Sequence, residues 1–202
     1  MSERQIAIGR EPRRLRAALG DPASPALGGV VLCHPHPDYG GDMDNAVVVA
    51  AARALLASGR ATLRFDFGRG AGRDEAAAIG DTRTALETLA GLLPGGAPLA
   101  LVGYSFGAWI ACRAVVESVD GVGRVVAIAP PLDLVERGLL VSLTIPVRIV
   151  VGDRDTYCSV ARVEDVRAAS GGLIESDIVG GADHFFAGRE ADVAARVLAG
   201  LS

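Results

Sequence analysis

The sequence predicts an α/β fold: a mostly parallel twisted sheet with helices on both faces and an antiparallel edge at its N-terminal end. Short apolar runs rich in β-branched residues alternate with longer segments of helical periodicity, as in parallel sheets that are covered on both faces. The first two strand candidates have no helical segment between them, so we expect them to pair antiparallel. The length of 202 residues predicts a single domain spanning residues 1–202.

Eight strands and five helices are predicted along the chain. The strand candidates are Ile6–Ile8, Leu15–Leu19, Val30–His34, Thr62–Phe67, Leu99–Gly103, Val125–Ala129, Val147–Val151 and Ile174–Val179. The helix candidates are Met43–Ala57, Asp74–Leu93, Phe106–Ser118, Val160–Ser170 and Ala191–Leu201. In such sheets the functional site lies beyond the carboxyl ends of the strands, so we expect the chemistry in the strand-to-helix loops.

The composition excludes several classes of function. A net charge of −4 gives no general electrostatic footprint for nucleic acid, and no apolar stretch is long enough to span a membrane. The sequence contains no lysine, which excludes Schiff-base chemistry and a Walker-type phosphate loop. Three sparse cysteines and the absence of an apolar signal segment predict a cytoplasmic protein. One basic cluster is expected to be a solvated edge or a partner contact: Arg10, Arg13, Arg14 and Arg16.

The motif Gly103-Tyr104-Ser105-Phe106-Gly107 places a serine where a predicted strand turns into a predicted helix. A serine at such a turn projects its hydroxyl out of the sheet, and a Cβ at either flanking glycine would collide with the neighbouring strand or helix. The N-terminus of the helix favours negative charge that develops at the serine. Ser105 is therefore a candidate nucleophile; the alternative is that its side chain caps the helix.

A nucleophilic serine needs a base, and the base needs an orienting acid. His184 follows the last predicted strand, and both Asp153 and Asp155 follow the strand before it. We predict that Asp155 orients His184, because Asp153 sits at the turn itself, where a short carboxylate hydrogen-bonds backbone amides.

Two backbone N–H groups are expected to form an oxyanion hole near Ser105. The N–H of Phe106, directly after the serine, is one candidate. The second is expected from the loop after Val30–His34, where Pro35 and Pro37 have no N–H. His36 is therefore the natural second donor, followed by Asp38 and Tyr39.

Seven segments together carry a resemblance that no single one carries alone: His34-Pro35-His36-Pro37, Tyr39-Gly40-Gly41, Met43-Asp44-Asn45, Leu63-Arg64-Phe65, Gly103-Tyr104-Ser105-Phe106-Gly107, Gly152-Asp153-Arg154-Asp155 and Gly181-Ala182-Asp183-His184-Phe185-Phe186. Over about residues 28–200 the chain resembles the small lidless bacterial α/β-hydrolases, which are serine esterases related to the dienelactone hydrolases. The resemblance implies the α/β-hydrolase fold, with Ser105 as nucleophile, Asp155 as acid, His184 as base and the amides of His36 and Phe106 as oxyanion donors. The run from Asp66 to Gly70 departs from the family pattern, and the segment before the next helix is shortened. This loop borders the edge of the expected site, where it affects substrate preference.

The predicted function is cleavage of a carboxylic ester or thioester of a small molecule, without a cofactor, through an acyl-enzyme. Only 17 residues lie between Ala129 and Val147, too few for a cap domain, so we expect a shallow, open site. The expected substrate-binding residues are Asp38, Tyr39, Tyr157 and Phe185, with further wall candidates at Trp109, Pro131, Leu132 and Phe186. For Trp109 and Phe185 the alternative is a place in the core, which is favoured for Trp109.

Three alternatives compete with this interpretation. His34, His36 and Asp38 have ligand spacing for a metal-dependent hydrolase, completed by His184 and Asp155, although the intervening prolines favour use of the backbone and Ser105 would be left without a role. A hydrolase fold can also serve as a non-catalytic scaffold or ligand-binding protein. A nucleotide site at Gly68–Gly72 fails because Arg73 stands where the dinucleotide fingerprint needs glycine.

Overall fold

The computed structural model describes residues 2–23, 25–117, 121–135 and 138–201. Within these ranges the strands are β1 (Ser2–Ile8), β2 (Leu15–Asp21), β3 (Gly29–Cys33), β4 (Ala61–Phe65), β5 (Leu99–Tyr104), β6 (Val122–Ile128), β7 (Val147–Gly152) and β8 (Ile174–Val179). The helices are α1 (Ala46–Ala57), α2 (Glu75–Leu92), α3 (Phe106–Val116), α4 (Gly138–Val141), α5 (Val160–Ala169) and α6 (Glu190–Gly200). A 3₁₀ turn spans Pro37–Tyr39.

All eight strands join one sheet in the order β1-β2-β4-β3-β5-β6-β7-β8. The β1–β2 and β2–β4 pairs are antiparallel, and every other neighbouring pair is parallel. Helix α1 packs against α6 and α2 packs against α3, one pair on each face of the sheet. The predicted fold class is confirmed, including the antiparallel N-terminal edge. None of the described helices is long and apolar enough to cross a bilayer.

Most element boundaries fall within a few residues of the prediction, and the differences have local causes. Helix α1 begins at Ala46 rather than Met43, because the Asn45 side chain accepts a hydrogen bond from the N–H of Val47 and caps the helix there. The N–H of Met43 instead donates to the carboxylate of Asp66, 2.8 Å away. The predicted end of α3 at Ser118 lies outside the described residues. The single-turn helix α4 and the 3₁₀ turn carry no periodic signal and were not predicted.

The central strands are buried on both faces, and every residue of β3 and β4 is buried. Arg64 on β4 is a charged member of this core. Its guanidinium pairs with Glu3 on β1, bonds the carbonyl of Met43 and pairs with Asp44, so the charge is compensated where it is buried. These bonds connect the N-terminal edge of the sheet to the start of α1.

The N-terminal arginine cluster is only partly the solvated edge that its composition predicts. Arg13 donates from Nε and Nη2 to the buried carboxylate of Asp81 on α2, over 2.5 and 2.8 Å. Arg16 pairs with Asp44 and Asp66. Two of the four arginines therefore connect the β1–β2 hairpin to the rest of the chain.

Candidate active site

Ser105 occupies a strained turn between β5 and α3, with φ 53° and ψ −116°. Its N–H donates to the carbonyl of Ile128 over 2.8 Å, and its own carbonyl accepts from Ala108 and Trp109 at the start of α3. The side chain makes no capping hydrogen bond to the helix, so the alternative interpretation of Ser105 as a helix cap is wrong. A strained φ and ψ held by surrounding bonds is typical of functional turns.

The two glycines that flank this turn are required by close backbone contacts. A Cβ at Gly103 would stand 2.2 Å from the carbonyl oxygen of Gly107. A Cβ at Gly107 would stand 2.3 Å from the carbonyl oxygen of Cys33. The turn is thus enclosed between the first turn of α3 and the end of β3, as the motif predicts.

A continuous hydrogen-bond chain joins Ser105, His184 and Asp155. Ser105 Oγ lies 2.9 Å from His184 Nε2, and His184 Nδ1 lies 2.8 Å from Asp155 Oδ2. Because an ionised carboxylate only accepts, the Nδ1–H donates to Asp155 and Nε2 is left to accept from the serine hydroxyl. Asp155 Oδ1 accepts from the amides of Tyr157 and Cys158 over 2.8 and 2.9 Å, so both oxygens of this buried carboxylate are engaged.

Asp153, the other acid of this loop, bonds a backbone amide, whereas Asp155 bonds His184. Asp153 is exposed, and its Oδ1 accepts from the N–H of Gly181 over 2.7 Å. The sequence predicted a bond to an amide within the turn of Asp153 itself. The amide observed belongs instead to the neighbouring loop, which carries His184. A second bond, from the N–H of Arg154 to the carbonyl of Ala182 at 2.9 Å, joins the same two loops.

The loop that carries His36 lies against the start of α3. The rings of His36 and Phe106 are 4.8 Å apart between centroids. His36 Nδ1 accepts from the N–H of Asp38, which closes the 3₁₀ turn. Within the described part of the chain, the N–H groups of His36 and Phe106 donate to no protein acceptor.

His34 is a buried structural residue. Its Nδ1–H donates to the carbonyl of Pro35 over 2.6 Å, and its Nε2 accepts from the N–H of Phe67 over 3.0 Å. Burial lowers the pKa of His34, which keeps the ring neutral. Both nitrogens are occupied, so His34 has none left for a metal. Among the described residues no group of three His, Cys, Asp or Glu side chains is arranged to hold a metal ion.

Three of the nine aromatic side chains are exposed, and all three lie around the Ser105–His184 pair. Tyr39 is 87% exposed and packs on His36, with ring centroids 4.6 Å apart. Tyr157, 42% exposed, and Phe185, 66% exposed, contact the His184 ring at 4.8 and 5.8 Å. The exposed carboxylate of Asp38 accepts from Arg73, 2.8 Å away.

Some of the other wall candidates belong to the core instead. Leu132 and Phe186 are buried, which contradicts their prediction as walls of an open site. Trp109 is also buried, in agreement with its alternative assignment to the core. The indole N–H of Trp109 donates to Glu75 over 3.0 Å, which satisfies it without a ligand. Pro131 is half-buried.

Sequence reasoning missed two residues that hold the site loops. Asp133 accepts from the N–H of Ser159 over 2.7 Å and donates its own N–H to the carbonyl of Tyr157, so it supports the loop of Asp155. Burial raises the pKa of Asp133, but hydrogen bonds from Ser159 and Arg162 outweigh it and leave the pKa below its ordinary value. The buried hydroxyl of Tyr104 donates to the main-chain carbonyl of His184 over 2.7 Å. Only the place of Tyr104 beside Ser105 could have drawn attention to it.

Comparison with known proteins places this arrangement in a family. No protein-family model matches the chain. It is 31% identical over 196 residues to the uncharacterised protein RP471 of Rickettsia prowazekii, covering 90% of this chain and 82% of that protein. The solved structure of an α/β serine hydrolase homologue from Coxiella burnetii matches with 26% identity and a TM-score of 0.86, over 100% of this chain and 99% of the other. XC6422 from Xanthomonas campestris, a serine hydrolase without a lid, shares the fold at 24% identity and a TM-score of 0.86, over 100% and 94% of the two chains.

The chain belongs to the small lidless α/β-hydrolases. In this α/β-hydrolase the connection between β6 and β7 contains, among its described residues, only the single-turn helix α4. The absence of a cap there leaves the carboxyl edge of the sheet, with Ser105 and its exposed aromatic neighbours, open to solvent.

Proposed function

We propose that this α/β-hydrolase is a serine hydrolase that cleaves carboxylic esters or thioesters through an acyl-enzyme on Ser105. The observation that carries the proposal is the hydrogen-bond chain from Ser105 Oγ to His184 Nε2 at 2.9 Å and from His184 Nδ1 to Asp155 at 2.8 Å. A nucleophile, a base within hydrogen-bond reach and an acid that orients the base are the parts that covalent acyl transfer needs.

In the proposed reaction, Ser105 Oγ attacks the carbonyl carbon of the substrate while neutral His184 Nε2 takes the hydroxyl proton. The imidazolium that forms is stabilised by Asp155, which stays ionised. His184 then gives the proton to the leaving alcohol or thiol as the carbon–oxygen or carbon–sulfur bond breaks, which leaves the acyl group on Ser105. A water molecule, deprotonated by His184, then attacks the carbonyl carbon of the acyl-enzyme. The bond from that carbon to Ser105 Oγ breaks, His184 returns the proton to Oγ, and the acid is released.

The negative charge on the tetrahedral carbonyl oxygen needs donors that are already in place. We assign this role to the N–H groups of Phe106 and His36, which donate to no acceptor among the described residues. The N–H of Phe106 belongs to the first turn of α3, whose partial positive charge adds to the effect.

The substrate is expected to lie across the open rim formed by Asp38, Tyr39, Tyr157 and Phe185. Large exposed aromatic side chains are unfavourable in water, and their concentration around a single site indicates a ligand that covers them. Three of these four rim residues are exposed aromatics, and the fourth, Asp38, is paired with Arg73, so the rim offers mostly aromatic contact surface. This supports an ester or thioester with an apolar acyl or alcohol part.

The test is covalent labelling with a fluorophosphonate probe, followed by mass spectrometry to identify the modified residue. We expect the adduct on Ser105, and we expect Ser105→Ala to lose both labelling and turnover of a small p-nitrophenyl ester and of a matched thioester. Ser170→Ala is the matched control, because Ser170 hydrogen-bonds Arg167 and Ile174 at the opposite end of the sheet. Undiminished turnover by a folded Ser105→Ala variant would refute the mechanism, and loss of activity with a chelator would favour the metal alternative.

A further inference from the structure

Tyr104 is the one buried tyrosine of the three in the chain, with 4% of its surface exposed. A phenol hydroxyl inside a protein needs a partner, because an unpaired polar group there has lost its hydrogen bonds to water. The partner of Tyr104 is the main-chain carbonyl of His184, 2.7 Å away and 80 residues later in the sequence. Burial raises the pKa of Tyr104, so the phenol stays protonated and acts as the donor.

The position of Tyr104 links the two ends of the Ser105–His184 hydrogen bond. Tyr104 is the last residue of β5 and pairs with Ile128 of β6, and the next residue, Ser105, donates its N–H to the carbonyl of that same Ile128. One dipeptide therefore carries both the candidate nucleophile and the hydroxyl that holds the main chain of the candidate base.

The phenol of Tyr104 supplies a hydrogen bond to the main chain of His184 that no described backbone group supplies. The two bonds between this loop and the Asp153–Arg154 turn end at Gly181 and Ala182, before His184. After it, Phe186 is buried with a positive φ of 53° and packs edge-on against the Tyr104 ring. Among the described residues no backbone N–H donates to the carbonyl of His184.

We propose that Tyr104 is a positioning residue, whose hydroxyl fixes the main chain of His184 and so holds Nε2 within hydrogen-bond reach of Ser105 Oγ. The inference rests on the proposed function, since it assigns His184 the role of base. The Tyr104 ring also lies beside the His184 ring, with centroids 6.0 Å apart. The role assigned here belongs to the hydroxyl, which donates to the main chain of His184. Its effect depends on geometry, because small displacements of a base from its proton donor reduce the rate strongly.

The substitution Tyr104→Phe removes the hydroxyl and keeps the ring. We expect kcat for a p-nitrophenyl ester to fall about tenfold while KM stays within about twofold, because the exposed rim that contacts the substrate is untouched. Ser170→Ala is again the control, since it also removes a buried hydroxyl that donates to a main-chain carbonyl. The control is expected to lower the melting temperature without changing kcat. A Tyr104→Phe enzyme with the kcat of the wild type would overturn the proposal.

A spectroscopic readout separates positioning from a purely structural role. The Nδ1–H proton between His184 and Asp155 should give a low-field proton NMR signal in the wild type and in Ser170→Ala. In Tyr104→Phe we expect this signal to shift and broaden as the imidazole gains freedom. A signal that is unchanged, together with a lower melting temperature, would reduce Tyr104 to a structural residue and overturn the inference.

Two further outcomes keep the test decisive. If Tyr104→Phe does not fold, the exchange of the Tyr104 hydroxyl proton with solvent is measured in the wild type instead. Slow exchange and a nuclear Overhauser effect to the His184 main chain support the contact, and rapid exchange refutes it. If the wild type shows no labelling at Ser105, the proposed function fails by itself, and the low-field proton still decides whether Tyr104 positions His184. If the wild type is labelled at Ser105 and Tyr104→Phe keeps the wild-type kcat, only the role of Tyr104 is refuted.

Discussion

Replacing Asp155 with asparagine is expected to place the wrong tautomer on His184. Asp155 Oδ1 accepts two amide N–H bonds, from Tyr157 and Cys158, while Oδ2 accepts from His184 Nδ1. In Asp155→Asn the amide oxygen must stay against the two N–H donors, which turns the NH₂ group toward His184. Nδ1 then becomes an acceptor, and the ring proton moves to Nε2, where it prevents acceptance of the proton from Ser105.

The size of the effect follows from these contacts. Turning the asparagine so that its oxygen faces His184 would leave the N–H groups of Tyr157 and Cys158 opposite another donor. Each buried unsatisfied donor costs about 1–3 kcal/mol, so the productive orientation lies about 2–6 kcal/mol above the other. At about 1.36 kcal/mol per factor of ten, kcat should fall between about 30-fold and about 3 × 10⁴-fold. The corresponding change in a serine protease costs about 10⁴ in kcat.

The measurement is kcat for Asp155→Asn beside Asp153→Asn, with folding of both checked by circular dichroism. Asp153 is exposed, and an asparagine oxygen can still accept from Gly181, so this control should lose less than threefold in kcat and about 0.5 kcal/mol or less in stability. A kcat for Asp155→Asn within threefold of the wild type, or an equal loss of kcat in the two variants, would contradict the role of Asp155.

Two further predictions concern stability. Because burial lowers the pKa of His34, the unfolded chain binds a proton at a pH where the native ring does not. The free energy of unfolding is therefore unaffected by His34 above about pH 6.5 and decreases as the pH falls below that value. In urea titrations at pH 7.5 and pH 5, His34→Gln should lose less of its free energy of unfolding between the two pH values than the wild type does. An equal loss in the two proteins would contradict the prediction. Arg13→Met leaves the Asp81 carboxylate buried with only the N–H of Gly68 and should cost about 3 kcal/mol, whereas Asp81→Asn leaves a half-exposed cation and should cost about 1–2 kcal/mol. Equal losses in urea unfolding of the two variants would refute that asymmetry.

Local pattern was enough to determine the order of elements and the shape of the serine turn. Apolar periodicity located the strands to within a few residues, since the central strands are continuous apolar runs whichever strand pairs with them. The motif alone explains the two glycines beside Ser105. A Cβ at either one collides with backbone only a few residues away or on the adjacent strand. The same reasoning selected Ser105, Asp155 and His184 as candidates, and the structure brings them together.

Contacts between distant parts of the chain were decided only by the tertiary structure. Arg13 is 68 residues from Asp81, and Tyr104 is 80 residues from His184, so no spacing rule connects either pair. The burial of Phe186, one position after the exposed Phe185, depends on a positive φ that its own sequence does not encode. Such features arise because a buried polar group takes whichever partner the packed chain presents to it, and that partner exists only after the strands have assembled.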